Sequence, residues 1–308
     1  MGTYVRGRLL RAIPVILGVL TLVFMMVHLL PGDPAEAIAS QSPGMTQQDV
    51  QRIRVQLGLD QPLYRQYLTF LSRLVHGDLG RSIFNGQPVR QMILTQFPST
   101  LELTLAGMSF AIVLGIVLGI ASAVRHNSWL DSISMAGALL GVSIPSFWLG
   151  LMLIFVFAVR LRWVPVVGGS GISGLILPAL TLGFSAAAII ARLVRSSMLE
   201  VLGQEYVQTA RAKGLAGRTI IVRHALRNAL IPVVTIVGLQ FGALLGGAVV
   251  VEIVFARQGI GRMAVDAILQ KDFPVVQGVV LLAALVYVVV NLLVDLLYSL
   301  LDPRISYD

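Results

Sequence analysis

The residue types that most often perform chemistry in proteins are scarce in this sequence and lie far apart. It has four histidines, His28, His76, His126 and His224, and no cysteine, which excludes disulfides, thiolate metal sites and cysteine nucleophiles. It contains neither an HExxH run nor a GxxxxGK(S/T) loop, the patterns that hold a catalytic zinc ion or a nucleotide phosphate. We therefore predict a chain that is not an enzyme, has no ATPase site of its own and binds no cofactor or metal.

A basic, polar stretch, GQEYVQTARAKGLAGRTIIVRHALRNALIP, separates two of the most apolar parts of the chain at residues 203–232. Its first part predicts a short helix, with Glu205 early, Arg211 and Lys213 late and Gly214 just beyond the end. That order suits the helix dipole and a glycine stop. The small residues of this helix leave a low surface that another protein could approach closely. A second helix is predicted over residues 218–229.

The rest of the chain is too apolar for a soluble fold. Of its 308 residues, 56% are hydrophobic and 12% are charged, whereas soluble domains contain about 25% charged residues. The net charge of +8 does not indicate nucleic-acid binding, because the basic residues lie at the ends of apolar runs and form no face interleaved with aromatic residues. We predict an all-α integral membrane protein that contacts lipid and no nucleic acid.

Six stretches without Asp, Glu, Lys or Arg are long enough to cross a bilayer, which takes about 20 apolar residues in a helix. They are residues 12–32, 103–124, 132–159, 163–191, 228–251 and 273–294. The predicted organisation is a cytoplasmic N-terminus with the first span over 1–32, an extracytoplasmic loop over 33–98 and a transmembrane core over 99–301. The remaining spans are predicted near residues 101–124, 132–159, 174–193, 229–251 and 273–301.

Lys and Arg are unevenly distributed around these spans, and the imbalance gives an orientation. With the N-terminus inside, the cytoplasmic segments hold 12 Lys and Arg residues, against 5 in the two short outer segments. Both termini are therefore predicted to be cytoplasmic. The first span follows Arg6, Arg8 and Arg11 as a signal peptide would, but a signal core is about 7–15 residues long. The greater length here favours an uncleaved span.

The loop over residues 33–98 predicts two amphipathic helices on the outer side. In TQQDVQRIRVQLGL, Thr46 is placed to cap a helix with apolar residues at helical spacing. In PLYRQYLTFLSRLVHG, Pro62 precedes a helix and Gly77 follows it, and one side is apolar: Leu63, Tyr67, Phe70, Leu71 and Leu74.

The basic segment has a simpler interpretation as a solvated loop resting on anionic lipid. Three features favour a docking surface instead: its length, its helix signals with a glycine stop, and the lack of any other sizeable cytoplasmic element. A chain without a nucleotide site, and with few ionisable groups inside its predicted spans, needs an external source of energy. This segment is the one surface on which that energy could be received.

At these residues the sequence resembles a known family. EYVQTARAKGL followed by RHALRNALIPVVT is similar to the EAA loop of permease subunits in type I ABC importers. Within that family it most resembles the B-type permeases of the dipeptide, oligopeptide, glutathione and nickel group. Matching stretches occur in order along essentially the whole chain: HLLPGDP, LGLDQPL, HGDLGRS, SSMLEVLGQEYV and NLLVDLLYSLLDPRI.

The resemblance implies a fold, a location and partners. The fold is the type I importer fold in the bacterial cytoplasmic membrane. The partners are a second homologous permease, two cytoplasmic ATPases that bind ATP and Mg, and an extracytoplasmic solute-binding protein. The implied cargo is a short peptide or a glutathione-like solute, with a nickel or opine-type solute as the alternative.

The resemblance also assigns a role to the loop over residues 196–228, in which the helix near 203–214 would dock on an ATPase and transmit its closure. Gln208, Thr209 and Ala210 occupy the Glu-Ala-Ala positions, so no carboxylate contact is possible at 208. The implied docking residues are Glu205, Tyr206, Gln208, Thr209, Ala210, Arg211, Lys213 and Gly214.

Prolines and glycines in the apolar spans mark candidate pore and hinge positions, because alternating access needs interrupted helices that rock against a partner. The candidates are Pro145, Pro178, Gly242 and Gly246, with Gly238 and Gly247 as further sites of close helix approach. Ordinary membrane helix packing explains any one of them equally well. The outer stretch VFARQGIGRM offers gate candidates, with a simple connector as the alternative: Arg257, Gly259, Gly261 and Arg262.

Two other classes of function remain open from the sequence. An autonomous ion-coupled transporter normally has ionisable groups in mid-membrane, whereas His28, Glu102, Asn291 and Asp295 all fall near predicted span ends. A membrane scaffold or insertase would also use the outer loop and the docking segment.

Overall fold

The computed structural model describes residues 13–25, 35, 46–56, 58–165, 171 and 173–301. The matching stretch at 28–34, the middle of the Pro/Gly-rich connector and residues 302–308 lie outside this part. The helices are α1 (Ile13–Met25), α2 (Gln47–Gln56), α3 (Leu63–Val75), α4 (Val89–Val124), α5 (Trp129–Ser143), α6 (Ser146–Leu153) with a π-helical continuation (Ile154–Arg160), α7 (Ser173–Leu202), α8 (Glu205–Ala212), α9 (Gly217–Thr219) with a π-helical turn (Ile220–Ala225), α10 (Leu226–Ala229), α11 (Ile231–Val254), α12 (Ile260–Gln270) and α13 (Phe273–Leu301).

Among the described residues, four helices are long and apolar enough to cross a membrane: α4, α7, α11 and α13. The bent pair of α5 and α6 makes a fifth if it is counted as one span. Residues 13–25 of the predicted first span are described, and they form the apolar helix α1. The chain forms two compact units, residues 1–99 with 258–288 and residues 100–257 with 289–308.

In the second unit, α4 and α7 pack closely because small residues recur on α4 at every fourth position: Gly107, Ala111, Gly115 and Gly119. A Cβ atom added to Gly115 would lie 2.6 Å from Ile190 Cγ2, and one added to Gly119 would lie 2.6 Å from Val194 Cβ. Small residues let helix backbones approach in a membrane, where dispersion replaces the hydrophobic effect as the packing force.

The closest approach gives a stability prediction. A Cβ added to Gly183 on α7 would lie 2.2 Å from the carbonyl oxygen of Gly107, so Gly183→Ala must push the backbones of α4 and α7 apart. Overpacking of this kind costs about 1–3 kcal/mol. We expect a lower thermal midpoint for the purified protein. Gly137→Ala on α5 is the control, because no heavy atom lies within 4 Å of its added Cβ; equal midpoints for the two variants would contradict the predicted clash.

Pro145 interrupts the third predicted span, as the sequence indicates. The helix pair on either side of it is bent by 108°. Pro145 has no N–H, so the carbonyl of Gly141 loses its helical hydrogen bond, and α6 restarts when Leu149 N–H donates to Pro145 O (3.0 Å). Pro178 differs from the expectation, since it lies inside α7, which continues without a break.

In the first unit, the two helices predicted within residues 33–98 are present as α2 and α3. Thr46 caps α2 as predicted, since Asp49 N–H donates to Thr46 Oγ1 over 3.4 Å. Thr46 Oγ1 in turn donates to Asp49 Oδ2 over 2.7 Å. Hydrogen bonds from the hydroxyl and backbone N–H of Thr46 hold the pKa of Asp49 below its usual range. The apolar side of α3 contacts α1, where Phe24 lies against Tyr67 with ring centroids 5.2 Å apart.

Three boundaries differ from the predictions for physical reasons. The outer stretch VFARQGIGRM was interpreted as a gate or a simple connector and no helix was predicted there, but its last residues begin the amphipathic helix α12. The fifth span was expected to end before Glu252, yet α11 continues to Val254 because Thr100 Oγ1 donates to the fully buried Glu252 carboxylate over 2.5 Å. The second span begins at Val89, earlier than expected, because Pro98 lies within a continuous α4.

Candidate functional site

The helix α8 of the basic segment is held against its own chain by a small apolar cluster. Val207 and Ala210 are buried, with 0% and 8% exposure, and they pack on Ile220 of the following π-helical turn. Leu202, at the end of α7, packs against both this cluster and the main core of the second unit. The position of α8 is therefore linked by direct packing to the long helix α7.

The opposite face of α8 is open to solvent. It carries one carboxylate, two cations and small polar groups, all exposed: Glu205, Tyr206, Gln208, Thr209, Arg211 and Lys213. Ala210 differs from the expectation that it lies on this low surface, because its side chain faces Ile220. Of the three Glu-Ala-Ala positions, only 208 and 209 are therefore accessible.

Gly214 ends α8 in a conformation that glycine adopts readily. Its φ is +77°, in the left-handed region where a Cβ atom is unfavourable. Two hydrogen bonds close the helix end, Gly214 N–H to Arg211 O (2.9 Å) and Leu215 N–H to Ala210 O (3.3 Å). The predicted glycine stop is confirmed, and Gly214 sets the direction in which the chain leaves α8.

A second link joins α8 to the predicted helix over 218–229. That stretch is helical but not uniformly so, because a π-helical turn separates α9 from α10. Asn228 Nδ2 donates to the Tyr206 hydroxyl over 2.8 Å. The Tyr206 hydroxyl therefore connects two helices of the basic segment, while the residue remains 42% exposed.

A buried ion pair joins the cytoplasmic end of α7 to the start of α5. Arg195 donates through Nε to Asp131 Oδ1 (2.6 Å) and through Nη2 to Asp131 Oδ2 (2.8 Å). Asp131, only 4% exposed, also accepts from the Ser122 hydroxyl and from Asn127 N–H (3.0 Å). These contacts join α4, α5 and α7 at one point, ten positions before α8 begins.

A cavity of about 240 Å³ lies beside the break at Pro145. It is lined by α5, α6, α7 and α11, and its polar groups come from Ser146, Thr181, Ser185 and Gln240. Gly141, whose carbonyl lacks its helical partner, is also on the lining. Irregular backbone at membrane depth is tolerated where it lines a cavity, so this cavity is the described feature best suited to a pathway for a polar solute.

The other pore candidates fall in different surroundings. Gly247 lines the cavity and lies 3.3 Å, measured from an added Cβ, from Leu182 Cδ1. Gly238 is the site of a close approach, since an added Cβ would lie 2.1 Å from Val294 Cγ2. Gly246 has no described heavy atom within 4 Å of an added Cβ, and Gly242 is half-buried on α11.

The outer gate candidates are divided between the two units. Arg257 belongs to the second unit, where its Nη2 atom lies 2.5 Å from Glu102 Oε2. Gly259, Gly261 and Arg262 belong to the first unit. Gly259 precedes α12 with φ −166°, an extended conformation open to any residue, and Gly261 is buried within α12. Arg262 Nε lies 3.8 Å from Asp266 Oδ2 one turn later.

Comparison with protein families decides the identity. Residues 115–307 match the family described as binding-protein-dependent transport system inner membrane component, and residues 1–104 match its N-terminal membrane-component family. The chain belongs to this family. It is an inner-membrane permease subunit of a binding-protein-dependent ABC importer, as the resemblance of the basic segment implied.

Several named proteins are similar to the permease over its full length. It is 48% identical over 307 residues to the glutathione transport system permease protein GsiC of Escherichia coli O6:H1, covering 100% of both chains. The proteins of the same name from Escherichia coli K12 and Salmonella choleraesuis are each 47% identical over the same length. The resemblance to the dipeptide and glutathione group is therefore confirmed for the sequence family.

Solved structures support the fold of the permease. The MetNI methionine ABC transporter in an inward-facing crystal form matches with a TM-score of 0.60 and 21% identity, over 69% of this chain and 97% of that chain. An amino acid ABC transporter crystallised with histidines matches with a TM-score of 0.50 and 16% identity, over 70% of this chain and 95% of that chain. The predicted type I importer fold is confirmed.

Several residues of the permease that carry polar interactions were missed by sequence reasoning. Asp131 was counted as the end of a short cytoplasmic loop, and Arg195 as one of seven basic residues in the next one. Gln240 could have been found from the sequence, since it is the one amide side chain in the apolar helix α11. Ser146 and Ser185 gave none, because serine is common in membrane helices that line no cavity.

Proposed function

We propose that this permease carries short peptides or glutathione-like solutes across the membrane, driven by ATP that partner subunits hydrolyse. The observation that carries the cargo is the full-length 48% identity to a permease named for glutathione transport. The described cavity agrees with this cargo because it offers hydroxyl and amide groups and no ionisable side chain on its lining.

The energy reaches the permease through α8. Two cytoplasmic ATPases bind ATP and Mg, and the open face of α8 docks on one of them; a second homologous permease completes the pore and docks on the other. Closure of the ATPases displaces α8, and Leu202 passes that displacement to α7. Ser185 of the cavity lies on α7 about 25 Å from Leu202, at 1.5 Å per helical residue. One continuous helix thus runs from the docking surface to the cavity.

The docking residues in this proposal are the exposed residues of α8 together with Lys213 and Gly214. Ala210 is not among them, because it packs against Ile220 on the buried side of α8. The exposed face carries charges of both signs, so the docking contacts involve Glu205 as well as Arg211 and Lys213. An extracytoplasmic binding protein delivers the solute on the opposite side.

The test is uptake by the assembled complex in proteoliposomes with ATP inside and the binding protein outside. We expect S-methylglutathione or alanyl-alanine to accumulate against its gradient only when ATP and the binding protein are both present. Uptake driven by an ion gradient without ATP would make the chain a secondary transporter. Absence of solute movement in an assembled, ATP-hydrolysing complex would favour a scaffold, and accumulation of a nickel chelate alone would reassign the cargo.

A further inference from the structure

The side chain of Gln240 lies near the middle of α11, at a level that falls within the membrane. The helix extends from Ile231 to Val254, so Gln240 is about 14 Å from one end and about 21 Å from the other at 1.5 Å per residue. Its carboxamide lines the cavity beside Pro145 and makes no side-chain hydrogen bond to any described residue. Glutamine in a membrane helix usually bonds to a neighbouring helix. This carboxamide is instead free to bind a group from outside the described chain.

Small residues leave space beside this carboxamide. On α11 the lining positions are 240, 243, 244 and 247, a spacing that places them on one face of the helix. Ala243 and Gly247 occupy two of these positions, and Ala186 of α7 and Gly141 of α5 also line the cavity. Because none of these four residues has a side chain longer than a methyl group, the protein does not fill the volume of about 240 Å³ beside Gln240.

Two hydroxyl groups on the same lining also lack a partner among the described residues. Ser146 and Ser185 make no side-chain hydrogen bond there, whereas the Thr181 hydroxyl donates to Leu177 O over 2.8 Å and keeps only its capacity to accept. No side-chain nitrogen or oxygen of Gln240, Ser146 or Ser185 is fully enclosed by protein. Polar groups without partners are costly at membrane depth. The cavity therefore suits a polar occupant, which is water until a solute replaces it.

The chemistry of the lining indicates which part of a solute it fits. The carboxamide of Gln240 can donate and accept at the same time, so it can pair with both the C=O and the N–H of a peptide group. The lining has no ionisable side chain, so it offers no counter-charge to the ends of a peptide. Sites that enclose a whole small ligand usually measure about 300–1,000 Å³. A smaller, uncharged cavity suits the neutral middle of a short peptide.

We propose that Gln240 is a solute-binding residue that pairs with a peptide group of the cargo partway across the membrane, with Ser146 and Ser185 as further hydrogen-bond partners. This proposal rests on the proposed function for its cargo class, and adds the residue and the part of the solute that meet. The pairing selects for solutes with a peptide N–H, because an analogue without that group leaves the Gln240 carbonyl oxygen unpaired.

The direct test is equilibrium binding of alanyl-alanine to the assembled complex in nanodiscs. The binding protein is left out, so that its affinity does not mask that of the permease, and saturation-transfer NMR measures the dissociation constant of a weakly bound solute. Gln240→Leu keeps a side chain of similar size and removes both hydrogen-bonding groups. Two neutral hydrogen bonds together contribute about a factor of ten. We therefore expect the dissociation constant to rise about tenfold.

Two further variants support this measurement. Gln91→Leu is the matched control, because it makes the same substitution at an exposed glutamine of α4 outside the lining, and it should leave the dissociation constant unchanged. Ser185→Ala removes one hydroxyl from the lining and should raise the dissociation constant about threefold. It gives a second measurement of the site if the Gln240 variant does not fold.

A second solute tests the chemistry of the pairing. In alanyl-lactate an ester oxygen replaces the peptide N–H, so it should bind the parent complex more weakly than alanyl-alanine does. Gln240→Leu should weaken the binding of alanyl-lactate much less than that of alanyl-alanine. A merely structural role of Gln240 would not produce this difference, because a loss of folded protein reduces the binding of both solutes equally.

The outcomes separate this proposal from the proposed function. If the complex accumulates alanyl-alanine in proteoliposomes, but the parent and Gln240→Leu bind it equally or the parent does not bind it, the binding residue is wrong and the cargo stands. Loss of the second permease from the Gln240→Leu complex in size-exclusion chromatography would show that Gln240 pairs with that subunit, which overturns the proposal. Binding of alanyl-alanine that depends on Gln240, in a complex that accumulates no peptide, would support the binding residue and overturn the proposed cargo.

Discussion

Replacing Gly214 by Asp is expected to abolish solute-stimulated ATP hydrolysis by the assembled complex while leaving the permease inserted in the membrane. The φ of +77° at this position costs an L-residue about 1–2 kcal/mol. A side chain that relieves this strain by rotating the backbone breaks the two hydrogen bonds that close α8. The chain then leaves the helix in another direction, and the link from the docking face through Ile220 is misaligned. The measurement is ATPase activity with and without solute-loaded binding protein.

Gly217→Asp is the matched control, because it adds the same charge three residues later. Neither glycine has a described heavy atom within 4 Å of an added Cβ, and only Gly214 has a positive φ. Gly214→Asn should keep part of the coupling, since asparagine tolerates the left-handed region better than other side chains. Normal stimulation in Gly214→Asp would mean that α8 does not transmit the motion of the ATPases.

Local sequence signals predicted the features that depend on neighbouring residues. The helix α8 with its glycine stop, the capped helix α2, the amphipathic helix α3 and the break at Pro145 all follow from side-chain types within a few positions. The family resemblance then supplied the fold, because its motifs recur in order along the chain. These are the parts of the permease in which local preference and the final structure agree.

Tertiary contacts were outside the reach of this reasoning. Arg195 and Asp131 are 64 residues apart in sequence, and nothing in either neighbourhood indicates the other. Gln240 and Ser185 come to line one cavity only through the packing of α11 on α7. The helix α12 was missed because Gly259 and Gly261 were interpreted as part of a gate or a connector, and the end of α11 was misplaced because a charged residue was taken as a boundary. In both cases burial by distant residues decided the structure.

Removal of the charge at Asp131 is the second change for which we expect a large effect. In Asp131→Asn the amide keeps one acceptor, but Arg195, whose side chain is 24% exposed, loses its counter-charge. Breaking a buried ion pair by removing one partner costs about 3–5 kcal/mol. The partial exposure of Arg195 places the expected loss at about 3 kcal/mol. For a protein of 308 residues, with an unfolding entropy of about 2.1 cal/mol/K per residue, this loss lowers the thermal midpoint by about 5 °C. Thermal unfolding of the purified protein measures it.

Asp49→Asn is the control for this substitution, because Asp49 forms an exposed pair with Arg52 at 3.4 Å, and such pairs contribute about 1 kcal/mol or less. The amide oxygen of the asparagine can still accept a hydrogen bond from Thr46 at the start of α2. The double variant Asp131→Asn with Arg195→Gln should recover part of the lost free energy of unfolding, since no uncompensated charge remains near the core. Equal midpoints for the Asp131 and Asp49 variants would show that the ion pair does not stabilise the fold.

The same variants also test whether the ion pair restrains α7. The measurement is the rate of ATP hydrolysis by the assembled complex without solute. If the ion pair at Arg195, ten positions before the helix proposed to dock, restrains α7, both the single Asp131 variant and the double variant should hydrolyse ATP with less dependence on solute than the wild-type complex.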